Sequence, residues 1–331
     1  MAIRNDLLPA SAAAIIASRD RIENDTICEV TLADRCPKSV LVYDVGGSHV
    51  SAAVCGEQDL RLGPVSTACH PADSGSAAFL DFLGELGLRA MHGFTGVRGA
   101  ELAFPGPFDY AAGISHMEHK LPGLLGVDLR HPLAARFSWE PERVRFLNDA
   151  DSYLLGEVGA GAAQGVQRAV CITLGTGIGS AFAVNGQVVV TGTGVPPRGE
   201  IWDLPYAGGI VEDMLSTRAL QADYQRRSGQ RCEVSAIATR AASDPAAAEV
   251  FTAFGHHLGI ALRTLMAQFA PQVVVLGGGI ARSAQLFLPQ AQQELAKTTM
   301  ELRIAQLFDH APLVGAAVAW FEQERTSSAS A

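Results

Sequence analysis

The chain has few of the features that mark several large protein classes. Its six cysteines, at positions 28, 36, 55, 69, 171 and 232, contain no C-x-x-C pair and stand mostly in apolar surroundings, so they read as reduced cytosolic thiols. No stretch is long and apolar enough to span a bilayer. The short apolar patch LLPASAAAIIAS follows Asp6 and is interrupted by Pro9, which argues against a secretory signal, and a cytoplasmic location is expected. Positive charge is scarce: 25 Lys and Arg against 34 Asp and Glu give a net charge of -9. Neither nucleic acid nor an anionic membrane is attracted by such a balance, and a small-molecule partner is expected instead. Two familiar nucleotide signatures are also missing. There is no G-x-x-x-x-G-K-[ST], and no G-x-G-x-x-G opening a helix, because Ser180 and Arg282 stand where the third glycine would be.

What the chain does have is apolar residues, 48% of its 331, and 34 glycines, enough material for two domains. The stretch AVCITLGTGIGSAFAVNGQVVV, residues 169–190, organises the reading. An apolar run ends at Leu174, glycines follow at 175, 177 and 179, and a second run leads into Asn185-Gly186, which predicts strand, glycine turn, strand, hairpin, strand. Glycine lets the backbone turn with positive φ and bring bare N–H groups against an anion, and Thr173 and Thr176 add hydroxyl donors. A tight sheet turn would read alike, but two comparable turns favour phosphate. SVLVYDVGGSHVSAAVCGEQ predicts a buried strand, a turn over Asp44 to Ser48 and a second strand from near His49. PQVVVLGGGIARSAQ predicts a buried strand, Gly277-Gly278-Gly279 and a helix.

Between these turns, Ala77 to His92 has helical spacing, and GAELAFPGPFDY reads as a strand entering a rigid loop at Pro105 to Pro107. RVRFLNDADSYLLGEVGAG reads as a strand that breaks at Asn148, the N-cap of a helix with Asp149 and Asp151 in its first turn. A helix is predicted from near Ile210 to about Arg227, and another over Pro245 to Phe269. The chain ends in an apolar segment, Ala311 to Phe321, and a polar tail, SSASA, expected to be disordered. Residues 1–38 read as an N-terminal extension with one short helix over Ser11 to Arg21, too few for a winged DNA-binding domain and linker. His116, Glu118 and His119, beside Lys120, read as surface residues rather than metal ligands.

Two strand-turn-strand phosphate loops in different halves of the chain, followed by a helix-opening glycine turn, resemble the actin-like ATPase and sugar-kinase superfamily. Within it the chain is similar to the ROK family. DVGGSHVSAAV resembles the first phosphate motif, PGPFD the sugar-side loop, NDADSYLLGE the catalytic N-D-A-N segment, LGTGIGSAF the second phosphate motif and VVVLGGGIA the adenosine motif. The resemblance covers about Val40 to the end. It implies a two-lobed actin-like (ribonuclease H-like) α/β fold with mixed sheets flanked by helices. The lobes would be 39–147 and 148–310, with 311–331 as a terminal helix packing back on the first lobe plus the tail. It implies ATP-dependent phosphorylation of a neutral hexose or hexose derivative at the 6-hydroxyl, in a homodimer.

Residue by residue, the resemblance makes Asp149 the general base, held at a helix N-terminus where the dipole keeps its carboxylate ionised. Pro105, Gly106, Asn148, Glu200 and Glu212 would bind the sugar, since carboxylates accept from two hydroxyls at once and an amide can donate and accept. ATP would meet Asp44, Gly46, Gly47, Ser48, Thr173, Gly175, Thr176, Gly177, Gly277, Gly278 and Gly279, with Asp44 acting on Mg²⁺ through water. Plainer readings stand beside these: a first-turn acid, an N-cap, a turn-initiating aspartate, solvated glutamates. The chain departs from the family pattern G-E-x-G-H by carrying Trp202-Asp203, and has no cysteine between Cys171 and Cys232. The zinc loop is therefore read as deleted, no zinc is expected, and Asp203 is the candidate to replace the histidine's sugar contact. The alternative is a sugar-sensing or catalytically inactive binding protein.

Overall fold

Apolar runs without alternation form strands buried on both faces. The first is β1 (Ser39–Val45), whose Val40, Leu41 and Val42 are wholly buried in the computed structural model, which describes residues 38–70, 75–118 and 121–329. All of the N-terminal extension except Lys38, including the helix expected over Ser11 to Arg21, lies outside those residues, as do His119 and Lys120. β1 pairs antiparallel with β2 (His49–Gly56), and β2 with β3 (Ser66–Cys69). Helix α1 (Ser76–Ala90) leads to β4 (Val97–Phe104), parallel to β1. A small hairpin of β5 (Phe108–Asp109) and β6 (Ile114–Ser115), then α2 (Arg130–Arg136), leads to β7 (Val144–Asn148), parallel to β4. The sheet order is β3-β2-β1-β4-β7.

Helix α3 (Asp149–Ala160) opens the second half, where the same plan recurs. Strands β8 (Arg168–Leu174), β9 (Ile178–Val184) and β10 (Gln187–Val188) meander antiparallel, with Asn185 and Gly186 at positive φ in the β9–β10 turn. A hairpin of β11 (Pro205–Tyr206) and β12 (Gly209–Ile210) and helices α4 (Val211–Leu215), α5 (Thr217–Ser228), α6 (Val234–Arg240) and α7 (Pro245–Leu265) precede β13 (Val273–Gly277), which lies parallel to β8. Helices α8 (Gly278–Ala281) and α9 (Leu288–Glu294) connect it to β14 (Glu301–Ile304), parallel to β13. The order β10-β9-β8-β13-β14 repeats that of the first sheet, with the same strand senses. The molecule is thus a mixed α/β protein with two mixed sheets flanked by helices.

The closing helix α10 (Ala311–Ala329) covers β1 and β2 of the first sheet through Leu313, Ala316, Ala317, Trp320 and Phe321. Helix α3, which leaves the first sheet, packs Tyr153 and Leu154 on the second. The two helices therefore cross, at two glycines. A Cβ at Gly156 would strike the Ala311 carbonyl and one at Gly315 the Ser152 carbonyl, while the Ser152 hydroxyl donates to the Pro312 carbonyl at 2.6 Å. Glu157, wholly buried, accepts from the backbone N–H groups of Ala162 at 2.7 Å, Gln306 at 3.1 Å and Leu307 at 2.9 Å, tying the end of α3 to the entry of α10.

Three expectations are corrected. The helix expected from near Ile210 to about Arg227 is two helices, because Ser216 turns extended and its hydroxyl caps α5 by accepting from Ala219 N–H. The helix expected to reach Phe269 ends at Leu265, and Phe269 packs against Phe182 beyond it. Much of the polar tail is helical, since α10 runs to Ala329 and the Ser328 hydroxyl bonds back to the Glu324 carbonyl at 2.8 Å. Among the described residues no helix is long and apolar enough to cross a membrane, and Cys55, Cys69, Cys171 and Cys232 are free thiols.

Candidate active site

Parallel strands that end side by side bring their following turns together. In the first sheet Asp44 pairs with Ala103 and Phe104 with Asn148, so the Asp44–Ser48 turn, the Pro105–Pro107 loop and the start of α3 are neighbours. In the second, Gly277 pairs with Thr173, which sets the Gly277–Gly279 turn beside the Gly175–Gly177 turn. The two edges meet at Gly179, where a Cβ would lie 3.4 Å from that of Ala150 in α3.

Asn148 caps α3. Its Oδ1 accepts from the N–H groups of Ala150 at 2.9 Å and Asp151 at 3.2 Å, and its Nδ2 donates to the Tyr110 hydroxyl at 3.0 Å. With the acceptor engaged by the helix, the amide meets a ligand chiefly as a donor. Asp149 is the first helical residue, its Oδ1 accepting from Ala150 N–H at 2.9 Å. Burial, then the charges of Asp149 and Asp309, push the Asp44 carboxyl up to about 7. Asp151 is likewise pushed up to about 7 by burial, then by Asp149 and Glu200. Burial raises Tyr110 too, and Asp149, Asp151 and Glu200 add to the shift. These groups form one cluster of like charge in a partly dry setting, where full ionisation is costly without a cation or protons.

The glycine turns differ in how they are held. In the first, Gly46 N–H donates to the His49 carbonyl at 2.9 Å, buried His70 holds the Gly47 carbonyl through Nε2 at 2.9 Å, and the Ser48 hydroxyl lies 2.7 Å from His49 Nδ1. In the second, Gly175 N–H donates to the Gly177 carbonyl at 3.1 Å, Thr217 N–H donates to the Gly175 carbonyl at 2.8 Å, and Thr173 Oγ1 accepts from Gly179 N–H at 3.1 Å, leaving Thr176 exposed at the tip. In the third, Gly278 has φ +78, and a Cβ there would come 2.5 Å from the Leu174 carbonyl oxygen. Gly277 packs on the Tyr153 hydroxyl, whereas a Cβ at Gly47 or Gly279 would meet nothing within 4 Å. Those two glycines face open space.

The acids assigned to the sugar separate. Glu200 Oε2 accepts from Arg198 Nη2 at 2.7 Å and from Trp202 Nε1 at 3.1 Å. Glu212 lies against the second glycine turn, its Oε2 accepting from Ile178 N–H at 3.1 Å. Asp203 is exposed, and its charge acts on Arg198. Pro105 is buried, and Gly106 approaches the Tyr110 hydroxyl. Between Glu200 and Glu212 the β11–β12 hairpin turns through Ala207 and Gly208, both at positive φ, and the Tyr206 hydroxyl donates to the His257 carbonyl at 3.0 Å. Among the described residues no three His, Cys, Asp or Glu side chains are grouped to hold a metal ion.

Sequence reasoning gave no role to Tyr110, Asp151, His70 or Arg198. Tyr110 directly follows PGPFD, and Asp151 is an acid where the N-D-A-N pattern has an amide, so each carried a weak signal. His70 and Arg198 carried none.

Two mixed sheets of one plan flanked by helices are the fold of the ROK sugar kinases. The chain belongs to the ROK family, which it matches over residues 40–324. A ROK hexokinase from Thermus thermophilus superposes with a TM-score of 0.72 at 27% identity, over 87% of this chain and 99% of that one. The glucokinase of Halalkalibacterium halodurans is 26% identical over 213 residues, 55% of this chain and 64% of the glucokinase, so the chain spans less than two thirds of that relative's length. A ROK family transcriptional regulator, homologous to the MLC protein of E. coli, shares the fold with a TM-score of 0.69 at 18% identity, over 85% of this chain and 77% of the regulator.

Proposed function

We propose that the chain is an ATP-dependent sugar kinase that phosphorylates a neutral hexose or hexose derivative, with Asp149 as general base and the 6-hydroxyl as acceptor. The observation that carries this is the position of Asp149: first residue of α3, at the junction of two strand edges that each bring up a glycine turn. The hexokinase and glucokinase relatives support the same reading.

Asn148 would donate to a sugar hydroxyl while Asp149 takes the proton of the attacking one as its oxygen bonds to the γ-phosphorus of ATP and the bond from that phosphorus to the bridging oxygen breaks, releasing ADP. Backbone N–H groups at Gly47 and Gly279, where open space adjoins the turns, would spread the charge of the phosphates. The charge of Asp149 adds to the cost of ionising buried Asp44, a conflict that a divalent cation relieves, so the residues fit Mg²⁺. With no ready-made ligand cluster among the described residues, Asp44 would hold it through water, and bound Mg²⁺ would supply neutralisation of phosphate charge. Asp149 and Asp151 stand at the start of α3 beside the place proposed for the sugar, so a neutral acceptor is expected over sugar acids and sugar phosphates. In this reading 39–147 and 148–310 act as lobes that close on the ligands and exclude water, in a cytoplasmic homodimer.

The regulator's shared fold favours one second reading, a sugar-sensing or inactive binding protein. A panel of neutral hexoses, N-acetylhexosamines and sugar acids, incubated with ATP and Mg²⁺ and read by product mass, separates the two. Phosphorylation of at least one neutral sugar is expected. Turnover confined to sugar acids or non-carbohydrate acceptors would overturn the substrate class, and sugar binding without any turnover would favour the sensor.

A further inference from the structure

We propose that the indole of Trp202 is the platform on which the apolar face of the sugar ring rests, held in place by the hydrogen bond from its Nε1 to Glu200. This rests on the kinase reading only in taking a sugar as the ligand. Among the described residues few large apolar side chains are exposed, and Trp202, at 38%, is the one tied to the candidate site. An aromatic ring left in water beside a carboxylate has an apolar body to cover and a polar edge already fixed, the combination that suits a ligand with C–H faces and hydroxyl edges.

The local chain explains the placement. The hydrogen bond from Trp202 Nε1 to Glu200 Oε2 sets residues 200 and 202 on one side, while Ile201 between them turns into the core. Ile201 is buried, its N–H donating to the Ser180 hydroxyl at 3.1 Å, and that hydroxyl donates to the Gly199 carbonyl at 2.6 Å. The segment is thereby fastened to β9 with Glu200 and Trp202 facing away from the core. Arg198 takes φ +57, an uncommon conformation for a residue with a side chain, and its guanidinium reaches the same Glu200 oxygen as the indole. On the other side, the Trp202 carbonyl accepts from Glu212 N–H at 3.0 Å, and Glu212 holds Ile178 of the second glycine turn. The Trp202 side chain is thus tied to Glu200, whose charge acts on Tyr110 and Asp151, and its backbone is tied to Glu212 beside the second glycine turn.

The ligand class follows. A hexopyranose, N-acetylated or not, offers a continuous C–H face to the ring while its hydroxyls meet Glu200. Trp202 stands where the family pattern has glycine, so the platform belongs to this chain.

The test uses Trp202→Ala and Trp202→Phe in the full-length protein. Trp202→Ala should raise the KM for D-glucose, D-mannose or N-acetyl-D-glucosamine about tenfold or more, with kcat and the KM for ATP within about threefold, and Trp202→Phe, which keeps a ring but loses the N–H, should fall between. Independently of turnover, each sugar is titrated against tryptophan fluorescence. A saturable change in the parent that disappears in Trp202→Phe, where Trp139 and Trp320 remain, supports the platform. An equal change in Trp202→Phe, a sugar KM in Trp202→Ala within about twofold of the parent, or no saturable change in the parent with any of the three sugars overturns it. A Trp202-dependent signal without phosphorylation would uphold the platform and defeat the kinase reading; phosphorylation with a Trp202-independent KM would do the reverse.

Discussion

Asp149 and Asp151 share the first turn of α3, and the surroundings of Asp151 have a measurable consequence. Burial, Asp149 and Glu200 hold Asp151 at about 7, above the ordinary aspartate value that an unfolded chain would show. Between those two values the folded protein keeps a proton that the unfolded chain has released. The stability this confers is complete below about pH 4 and is lost as pH rises to about 7. Asp151→Asn should flatten that part of the profile and raise Tm at pH 8 by roughly 2–4 °C, because the amide carries no charge for its neighbours to repel. Thermal melts of parent and variant between pH 4 and 8, without ligands, check this; parallel profiles would contradict it. Asn148 and Asp149 were legible in the sequence because a strand breaking at a capping residue puts the next acid at a helix start. Tyr110 was not, because it reaches Asn148 across 38 positions by a loop whose path no local pattern encodes.

At the scale of elements, the strands were the most legible part. Largely apolar runs such as SVLVYDV and RAVCITL have little choice but to be buried, and the glycines that follow them mark the turns. The break at Ser216 was hidden because the apolar residues on either side of it keep helical spacing, while the hydroxyl cap that starts α5 depends on geometry. The destination of Glu212 was hidden for a similar reason: its nearness to Ile178 arises from the β11–β12 hairpin, which shortens the path from Glu200. That hairpin is closed by backbone pairing of Pro205 with Ile210 and Tyr206 with Gly209, needing no ion. The protein as purified should contain no stoichiometric zinc, and a chelator should leave its Tm unchanged. One zinc per chain by elemental analysis would contradict this account of the hairpin.

Across the whole molecule, the repeated sheet plan matters because each half ends in a helix that packs on the other half. Helix α3 carries Asp149 at its start and is locked along its length against α10, so the position of the proposed base depends on a contact far from the ligands. A Cβ at Gly315 would meet the Ser152 carbonyl, a backbone atom that cannot turn aside. Gly315→Ala should therefore cost about 1–3 kcal/mol. It should also lower kcat more than it changes either KM, and an unchanged melting temperature and kcat would show that the crossing is not under this constraint. The central claim, that the two sheets converge on Asp149 to transfer a phosphoryl group, is tested most directly by Asp149→Asn, with turnover and sugar binding measured on the same preparation. The amide keeps the shape and the hydrogen bond to Ala150 but cannot take a proton. Turnover should fall by about 10²–10⁴-fold while the sugar Kd measured by calorimetry stays within about threefold. Turnover within about tenfold of the parent would contradict the assignment.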